Sequence, residues 1–529
     1  MRKSATGILA LALLALGPLA SQAQPPMRPP SQEKAAKGAD EVKVKAAQYD
    51  VRKELVDEVS SVTHHSVTID GQKIPYTATA GNMVLRSDDG KPLGSIFYVA
   101  YTRDGVSDPA KRPITFSYNG GPGAASLWVH LGAFGPKRVA LGPEGMPDGP
   151  PPGHLVDNED SVLDATDLVF IDPVSTGYSR PAPGEDASEF HGFENDVESV
   201  GEFIRLYLTR NERWTSPKFL AGESYGTTRS AGLAGYLQDH YGMYLNGIAL
   251  ISSVLDFQTI IFSDDNDLPY VLFLPSYTAA AWYHHKLDER LSGDLKSTLD
   301  EAEAFAQGEY ATALLKGRNL PEAQRKEVAA KVAEYTGLSE QYVEESNLRI
   351  RADRFFKQLL RDQRRTIGRL DSRFVGRDRD AAGERAEYDP AGVVLDSYFV
   401  SLINDYLRTD LGLKSDLPFN YETNVFPWSF SRGGQRGWVP GYLDVAEVLR
   451  QAMNENPKLQ VLVLAGYYDM ATPFFGSIYT VAHMPLDPEI AKNIRLAFYG
   501  AGHMMYIRQK DHAKMRQDFL DLIHRATAQ

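Results

Sequence analysis

Gly222-Glu223-Ser224-Tyr225-Gly226 places a serine in a G-x-S-x-G pattern between an apolar run, Pro217 to Ala221, and a stretch from Thr227 to Asp239 that reads as a helix. A serine on a strand-to-helix turn of this kind can serve as a nucleophile elbow. The glycines let strand and helix approach closely, and the tight turn lifts the Ser224 hydroxyl clear of the backbone. The start of the helix adds partial positive charge where negative charge would develop. A serine hydroxyl is a weak nucleophile by itself and needs a base, which needs an orienting group in turn. Two later apolar runs, Gln460 to Ala465 and Ile494 to Tyr499, end in loops that carry Asp469 and His503. Ser224, Asp469 and His503 are therefore expected to form one hydrogen-bonded constellation, each just beyond a strand. Asp487 and His512 sit farther from the ends of their strands.

A second stretch suits the same chemistry. The short apolar run Ile114 to Tyr118 leads into Asn119-Gly120-Gly121-Pro122-Gly123-Ala124-Ala125-Ser126. Three glycines and a proline within five residues make a tight loop with exposed backbone N–H groups, which can hold an oxyanion.

The elements that must position these groups follow from periodicity. Ser66 to Asp70, Ile74 to Ala78 and Ser95 to Thr102 are rich in β-branched and aromatic residues and are separated by Asp70-Gly71 and Asp89-Gly90, so they predict antiparallel strands. Thr166 to Ile171 predicts a buried strand, and Phe193, Val197, Val200, Ile204, Tyr207 and Leu208 mark one apolar face of a helix. With strand 217–221, helix 227–239 and strand 245–251, the alternation is βαβαβ, the pattern of a largely parallel sheet covered by helices. Leu141 to Gly153, with five prolines and four glycines, predicts an irregular loop. From residue 258 to 428 the pattern changes: strands are scarce, charge density rises, and 297–316, 321–335 and 339–361 look helical. The sheet pattern then resumes and the chain closes with a helix over 510–526. The sequence thus predicts an α/β architecture with a mostly parallel central sheet flanked by helices. Its core falls in two parts, 48–257 and 429–529, with a helical cap insertion over 258–428.

Composition bounds the rest. Arg2 and Lys3, the apolar run Ile8 to Leu19 and Ser21-Gln22-Ala23 have the order of a secretory signal peptide, with cleavage expected after Ala23. Residues 24–47 have the composition of a flexible linker. A periplasmic or secreted protein with no stable membrane insertion after cleavage is expected. The formal net charge of −13 argues against nucleic acid or anionic lipid as partners. The chain has no cysteine, which excludes thiol nucleophiles, Cys-ligated zinc and disulfides. Metal-ligand spacings are absent, and His64-His65 and His284-His285 read as surface or packing residues. No metal and no cofactor are expected.

Taken in order, Asn119-Gly120-Gly121-Pro122-Gly123, Asp172-Pro173 through Gly177-Tyr178-Ser179, Gly222-Glu223-Ser224-Tyr225-Gly226, Asp469 with Pro473, and Gly502-His503-Met504 resemble the serine carboxypeptidase family, whose fold is that of the α/β-hydrolases. The resemblance covers most of the chain from about residue 90, apart from the helical insertion. It implies Ser224 as nucleophile, His503 as general base and then acid, and Asp469 as the group that orients the imidazole. It also implies an oxyanion hole from the N–H groups of Gly121 and Tyr225. Asn119, Gly120 and Glu223 would bind the terminal carboxylate of a peptide substrate. Because two carboxylates at hydrogen-bond distance cannot both stay ionised, such a clamp favours acidic pH.

Three departures from the family pattern matter. Ala124-Ala125-Ser126 follows the glycine-rich loop where the family usually has Cys-Ser-Ser. Ala133 stands where members commonly carry a second glutamate that shares a proton with the first; without that repulsion Glu223 is expected to be ionised at neutral pH, so that the protein either anchors a substrate carboxylate with Asn119 or an arginine or has relaxed the demand for a free C-terminus. The segment Arg361 to Arg385, with eight arginines and five acidic residues, offers Arg369 or Arg373 as a replacement cation, or is simply a solvated face. The resulting expectation is an exported serine carboxypeptidase, with an esterase or acyltransferase on the same machinery as the alternative, and an inactive binding protein on the same scaffold disfavoured by the intact triad.

Overall fold

The computed structural model describes residues 55–431 and 441–528, so the expected signal peptide (1–23) and linker (24–47) lie outside the described residues. Three long strands, β1 (Ser60–Ile69), β2 (Gln72–Arg86) and β3 (Pro92–Arg103), form an antiparallel meander. The turn between β1 and β2 has positive φ at both Asp70 and Gly71, the backbone that an Asp-Gly pair supplies in a tight hairpin. Six shorter strands follow: β4 (Ile114–Tyr118), β5 (Asp167–Ile171), β6 (Lys218–Glu223), β7 (Gly247–Ile251), β8 (Gln460–Gly466) and β9 (Ile494–Tyr499). The sheet order is β1-β2-β3-β5-β4-β6-β7-β8-β9, with a two-residue strand at Arg180–Pro181 paired to β3. From β5 to β9 every pairing is parallel. Strands β4 to β8 are buried along their whole length, which is why they appear in the sequence as continuous apolar runs without alternation.

One face of the sheet is covered by α1 (Phe193–Arg210), α2 (Tyr225–Tyr241) and α5 (Ala446–Glu455), through Val200, Ile204, Leu233, Leu237 and Leu449. The other is covered by α6 (Gln509–Thr527), through Met515, Phe519 and Leu522. The chain runs from β4 outward to β5, then returns to β6 and continues in the opposite direction. The reversal lies between β4 and β6, where the carboxyl ends of adjacent parallel strands open a crevice.

The stretch between β7 and β8 is mainly helical. It includes α3 (Leu268–Tyr283) and α4 (Pro390–Thr409), neither singled out by sequence pattern, and a core of its own around Leu272, Tyr277, Leu299, Val332 and Phe355. The helical reading of 339–361 divides in two, Glu340–Glu345 and Ala352–Gln358, because Asn347 and Leu348 turn the chain with positive φ. A small antiparallel pair, Thr366–Ile367 with Val375–Gly376, lies within the arginine-rich segment.

Asp167, at the start of β5, accepts from Arg112 Nε at 2.7 Å and Arg213 Nη1 at 2.6 Å, and all three side chains are at least nine-tenths buried. Asp167→Ala would strand two buried guanidinium groups, so denaturant unfolding should register a loss of about 3–5 kcal/mol. A loss under about 1 kcal/mol would show that water reaches the pair.

Candidate active site

β6 ends at Glu223 and α2 begins at Tyr225, so Ser224 occupies the turn itself, with φ 59° and ψ −128°. Side chains rarely adopt positive φ, and strain of this kind persists only where the surroundings hold it. Here the Ser224 N–H donates to the Ile251 carbonyl at the end of β7 at 2.9 Å, tying the turn to the neighbouring strand.

The glycine-rich loop reaches the same point by register. Tyr118 of β4 lies opposite Gly222 of β6, so Asn119 and Gly120 emerge beside Glu223 and Ser224. A Cβ on Gly120 would lie 2.4 Å from the Tyr225 nitrogen and 2.7 Å from the Glu223 carbonyl oxygen, so only glycine lets the two backbones touch. Gly121 follows with φ +99°. Asn119 Nδ2 donates to Glu223 Oε1 at 2.8 Å, and Asn119 Oδ1 accepts from the Val129 N–H at 3.1 Å.

Asp469 and His503 lie beyond β8 and β9. His503 Nδ1 is 2.7 Å from Asp469 Oδ2. Asp469 is fully buried, and its carboxylate also accepts from the N–H groups of Ala471 (2.7 Å) and Thr472 (3.0 Å) and from the Thr472 hydroxyl (2.7 Å). Burial works to lower the His503 pKa, but the charge and hydrogen bond of Asp469 outweigh it and leave the imidazole raised above its usual value. Ser224 and His503 line one cavity of about 310 Å³. The side chain of Ser224 makes no hydrogen bond among the described residues, so the expected constellation is joined at Asp469–His503 and not at Ser224. Catalytic hydrogen bonds are often long before substrate arrives.

Asn119, Gly120, Gly121 and Glu223 line the sheet side of this cavity. Tyr225 contributes its N–H to the same turn. The insertion supplies the opposite wall through Arg369, Asp389, Val393, Asp396 and Glu422. Of the two arginines put forward from sequence, only Arg369 is there. Arg373 is turned away and buried, with its guanidinium on Asp371 at 2.6 Å and over the Tyr468 ring, because a buried carboxylate beside a buried cation is the cheaper arrangement for both.

Glu223 is 4% exposed, and burial is the first cause that pushes its pKa up to about 7. The expectation that it is ionised at neutral pH for want of a second carboxylate is therefore corrected: loss of water is the largest cause of the rise, and the Asp469 charge adds to it. Ala133 does not line the cavity; it lies in the buried turn Val129–Phe134, where its carbonyl accepts from His512 Nε2 and Asn158 Nδ2. Glu223 and the Tyr506 hydroxyl lie close enough for a side-chain hydrogen bond between them to bear on the titration of each, although neither Glu223 Oε2 nor that hydroxyl has a partner at full hydrogen-bond geometry among the described residues.

The sequence reading missed Trp128, Asp396 and Glu422. Trp128 Nε1 donates to Asp396 Oδ1 at 3.2 Å; burial and then the Glu422 charge raise the Asp396 pKa to about 7. Only position after folding distinguishes Asp396, on a helix, and Glu422, on a loop, from other acidic residues of the insertion, and Trp128 from other core aromatics.

Residues 71–509 match the family model described as serine carboxypeptidase. Similar curated proteins include serine carboxypeptidase-like 45 of Arabidopsis thaliana, 28% identical over 215 residues that make up 38% of this chain and 42% of the relative. The pheromone-processing carboxypeptidase KEX1 of Saccharomyces cerevisiae is 31% identical over 189 residues, 34% of this chain and 24% of KEX1. The matched stretches thus span less than half the length of these relatives. A crystal structure of KEX1(delta)p, a prohormone-processing carboxypeptidase from Saccharomyces cerevisiae, superposes with a TM-score of 0.50 at 16% identity, covering 83% of this chain and 90% of that one. At that identity the likeness bears on the fold alone, which is the α/β-hydrolase fold.

The contact at Gly120 generates a prediction that does not depend on any activity. Gly120→Ala should lower the free energy of unfolding by about 1–3 kcal/mol through overpacking. Gly293→Ala, where a Cβ meets nothing within 4 Å, should change it by less than about 0.5 kcal/mol. Equal effects in denaturant melts would show that the two loops can separate freely.

Proposed function

This chain belongs to the serine carboxypeptidase family, and from that membership we propose that it hydrolyses the last peptide bond of peptides through an acyl-enzyme on Ser224. His503 takes the Ser224 hydroxyl proton as Oγ attacks the carbonyl carbon, and the N–H groups of Gly121 and Tyr225 receive the oxyanion. The C–N bond breaks as His503 returns the proton to the departing amine. Water, activated by the same imidazole, then cleaves the ester and frees Ser224.

The observation that carries this reading is Glu223 beside Ser224: a buried carboxyl, pushed up to about 7 by loss of water, with Oε1 held by Asn119 and the Tyr506 hydroxyl close by. Protonated, Oε2 can donate to a substrate's terminal carboxylate, a demand that simple esters do not make. Arg369, exposed on the opposite wall with no side-chain hydrogen bond or ion pair among the described residues, supplies positive charge to the same cavity. The insertion, as its wall position suggests, is a cap that selects substrates. The leader-like residues 1–23 favour an exported protein, periplasmic or secreted, and among the described residues no helix is long and apolar enough to cross a membrane.

Ser224→Ala and His503→Ala should each lower kcat by about five to six orders of magnitude, and Asp469→Ala somewhat less. The reading is tested by kcat/KM for one peptide, free and amidated at its C-terminus, and for a small ester. Retention of peptide cleavage by Ser224→Ala would overturn it.

The pH dependence has a definite sign. His503 must be neutral to act as base, so activity rises with pH through its raised pKa. Glu223 must be protonated to hold a carboxylate, so for the free peptide kcat/KM should fall again as pH passes about 7. The amidated peptide should lack the upper limb. Glu223→Gln should abolish that limb for the free peptide and leave the lower limb in place, because Glu223 is already neutral on the acidic side. Identical profiles for the two peptides would remove Glu223 from carboxylate binding.

A further inference from the structure

Arg229 lies on α2 five residues beyond the serine, with 1% of its side chain exposed. Its Nε donates to Asp196 Oδ2 at 2.7 Å and its Nη1 to the backbone carbonyl of Asn119 at 2.8 Å. The guanidinium also lies over two rings, 5.0 Å from the centroid of Tyr118 and 5.3 Å from that of Tyr225. The Tyr225 hydroxyl donates to the same Asp196 oxygen at 3.1 Å. Asp196, in the first turn of α1 and 2% exposed, gains from the positive end of that helix.

These contacts converge on the two backbone segments assigned above to the oxyanion hole. The Asn119 carbonyl belongs to the peptide that leads into Gly120 and Gly121, so the bond from Nη1 sets the tilt of the glycine-rich loop. Tyr225 carries the other donor N–H, and its ring and hydroxyl are held by the guanidinium and by Asp196. Residues Gly120 and Tyr225 already touch, as the 2.4 Å space left for a Cβ shows. A buried ion pair contributes little to stability compared with well-packed apolar side chains, so its presence here calls for a role in geometry.

We propose that Arg229 and Asp196 are positioning residues that fix the Gly121 and Tyr225 N–H groups at the spacing an oxyanion requires. The inference rests on the Ser224 acyl-enzyme reading. It touches only charge that develops during the reaction, so the transition state should lose stabilisation while substrate binding is kept.

The test uses the full chain. Labelling of wild type by a serine-directed fluorophosphonate, located by mass spectrometry, first tests the parent reading: no label on Ser224 overturns that reading itself. With wild type labelled, kcat and KM for a peptide are measured for Arg229→Lys, Tyr225→Phe and the pair Arg229→Met with Asp196→Asn, which leaves no lone buried charge. Affinities for a peptide boronic acid and for the free product amino acid are measured alongside. In the paired variant kcat should fall by about a hundredfold, the loss found when one oxyanion donor is removed. KM should stay within about threefold, boronate affinity should fall in parallel with kcat, and product affinity should hold. Arg229→Lys and Tyr225→Phe should show smaller losses with the same split, and they decide the matter if the paired variant does not fold. Unchanged kcat in folded protein, or loss of product and boronate affinity to the same degree, would overturn the proposal.

Discussion

Everything at this site depends on two loops meeting backbone to backbone. β4 and β6 are adjacent and parallel, and the register of Tyr118 against Gly222 delivers the glycine-rich loop and the serine turn to one point. No side chain fits between them at Gly120. The histidine loop obeys a similar constraint: a Cβ on Gly502 would lie 2.4 Å from the Leu370 carbonyl oxygen, while the His503 N–H donates to that same carbonyl at 2.7 Å. The Gly502 N–H donates to Asp371 Oδ2 at 2.9 Å, and Arg373 neutralises Asp371. Buried Arg373, which looked from sequence like a ligand cation, thus serves the placement of His503 through Asp371.

Burial divides the carboxylates of the site by what surrounds them. Asp469 has three donors from its own loop besides His503, so its negative charge is answered at every turn. Glu223, also buried, has Asn119 and the nearby Tyr506 hydroxyl, and loss of water still pushes its pKa up to about 7. Two buried carboxyl groups with such different surroundings can take different parts, one fully supplied with donors on the histidine side and one able to hold a proton beside Ser224. The same reasoning applies to Asp396, raised to about 7 on the cap side of the cavity, so the wall facing Ser224 is less negative near neutrality than its residue types suggest.

What the sequence made legible follows from where periodicity survives. The parallel strands were readable because full burial on both faces leaves unbroken apolar runs, and Ser224, Asp469 and His503 because they stand where those runs end. α3 was not, since a helix apolar on every side, with Pro275 inside it, carries no 3.6-residue stripe. The break at Asn347 and Leu348 escaped because neither residue type announces positive φ the way glycine does. Arg229 reads from sequence as one charged residue in a helix of small side chains. Its partners Asp196 and Asn119 are 33 and 110 residues away, and only the fold joins them. The loss of water at Glu223 is likewise invisible in sequence, because it comes from the fold closing around the residue and not from its neighbours in the family pattern.

The insertion is fastened to the loops around Ser224 as well as walling the cavity. Its last segment lies across the glycine-rich loop: the Ala125 N–H donates to the Tyr421 carbonyl, and the Thr423 N–H to the Gly123 carbonyl, at 2.9 and 2.8 Å. Gly177 and Asn420 exchange a further pair of backbone hydrogen bonds, and Trp428 packs edge-on against Tyr225 at 5.4 Å. One stretch of chain therefore contacts the glycine-rich loop, the Asp172–Ser179 turn and the residue after Ser224. Upstream, Leu370 and Asp371 of the same insertion hold the histidine loop. An insertion fastened this way cannot change shape without moving backbone on both sides of Ser224, so the outer wall of the cavity and the loops that carry Ser224 and His503 form one mechanical unit.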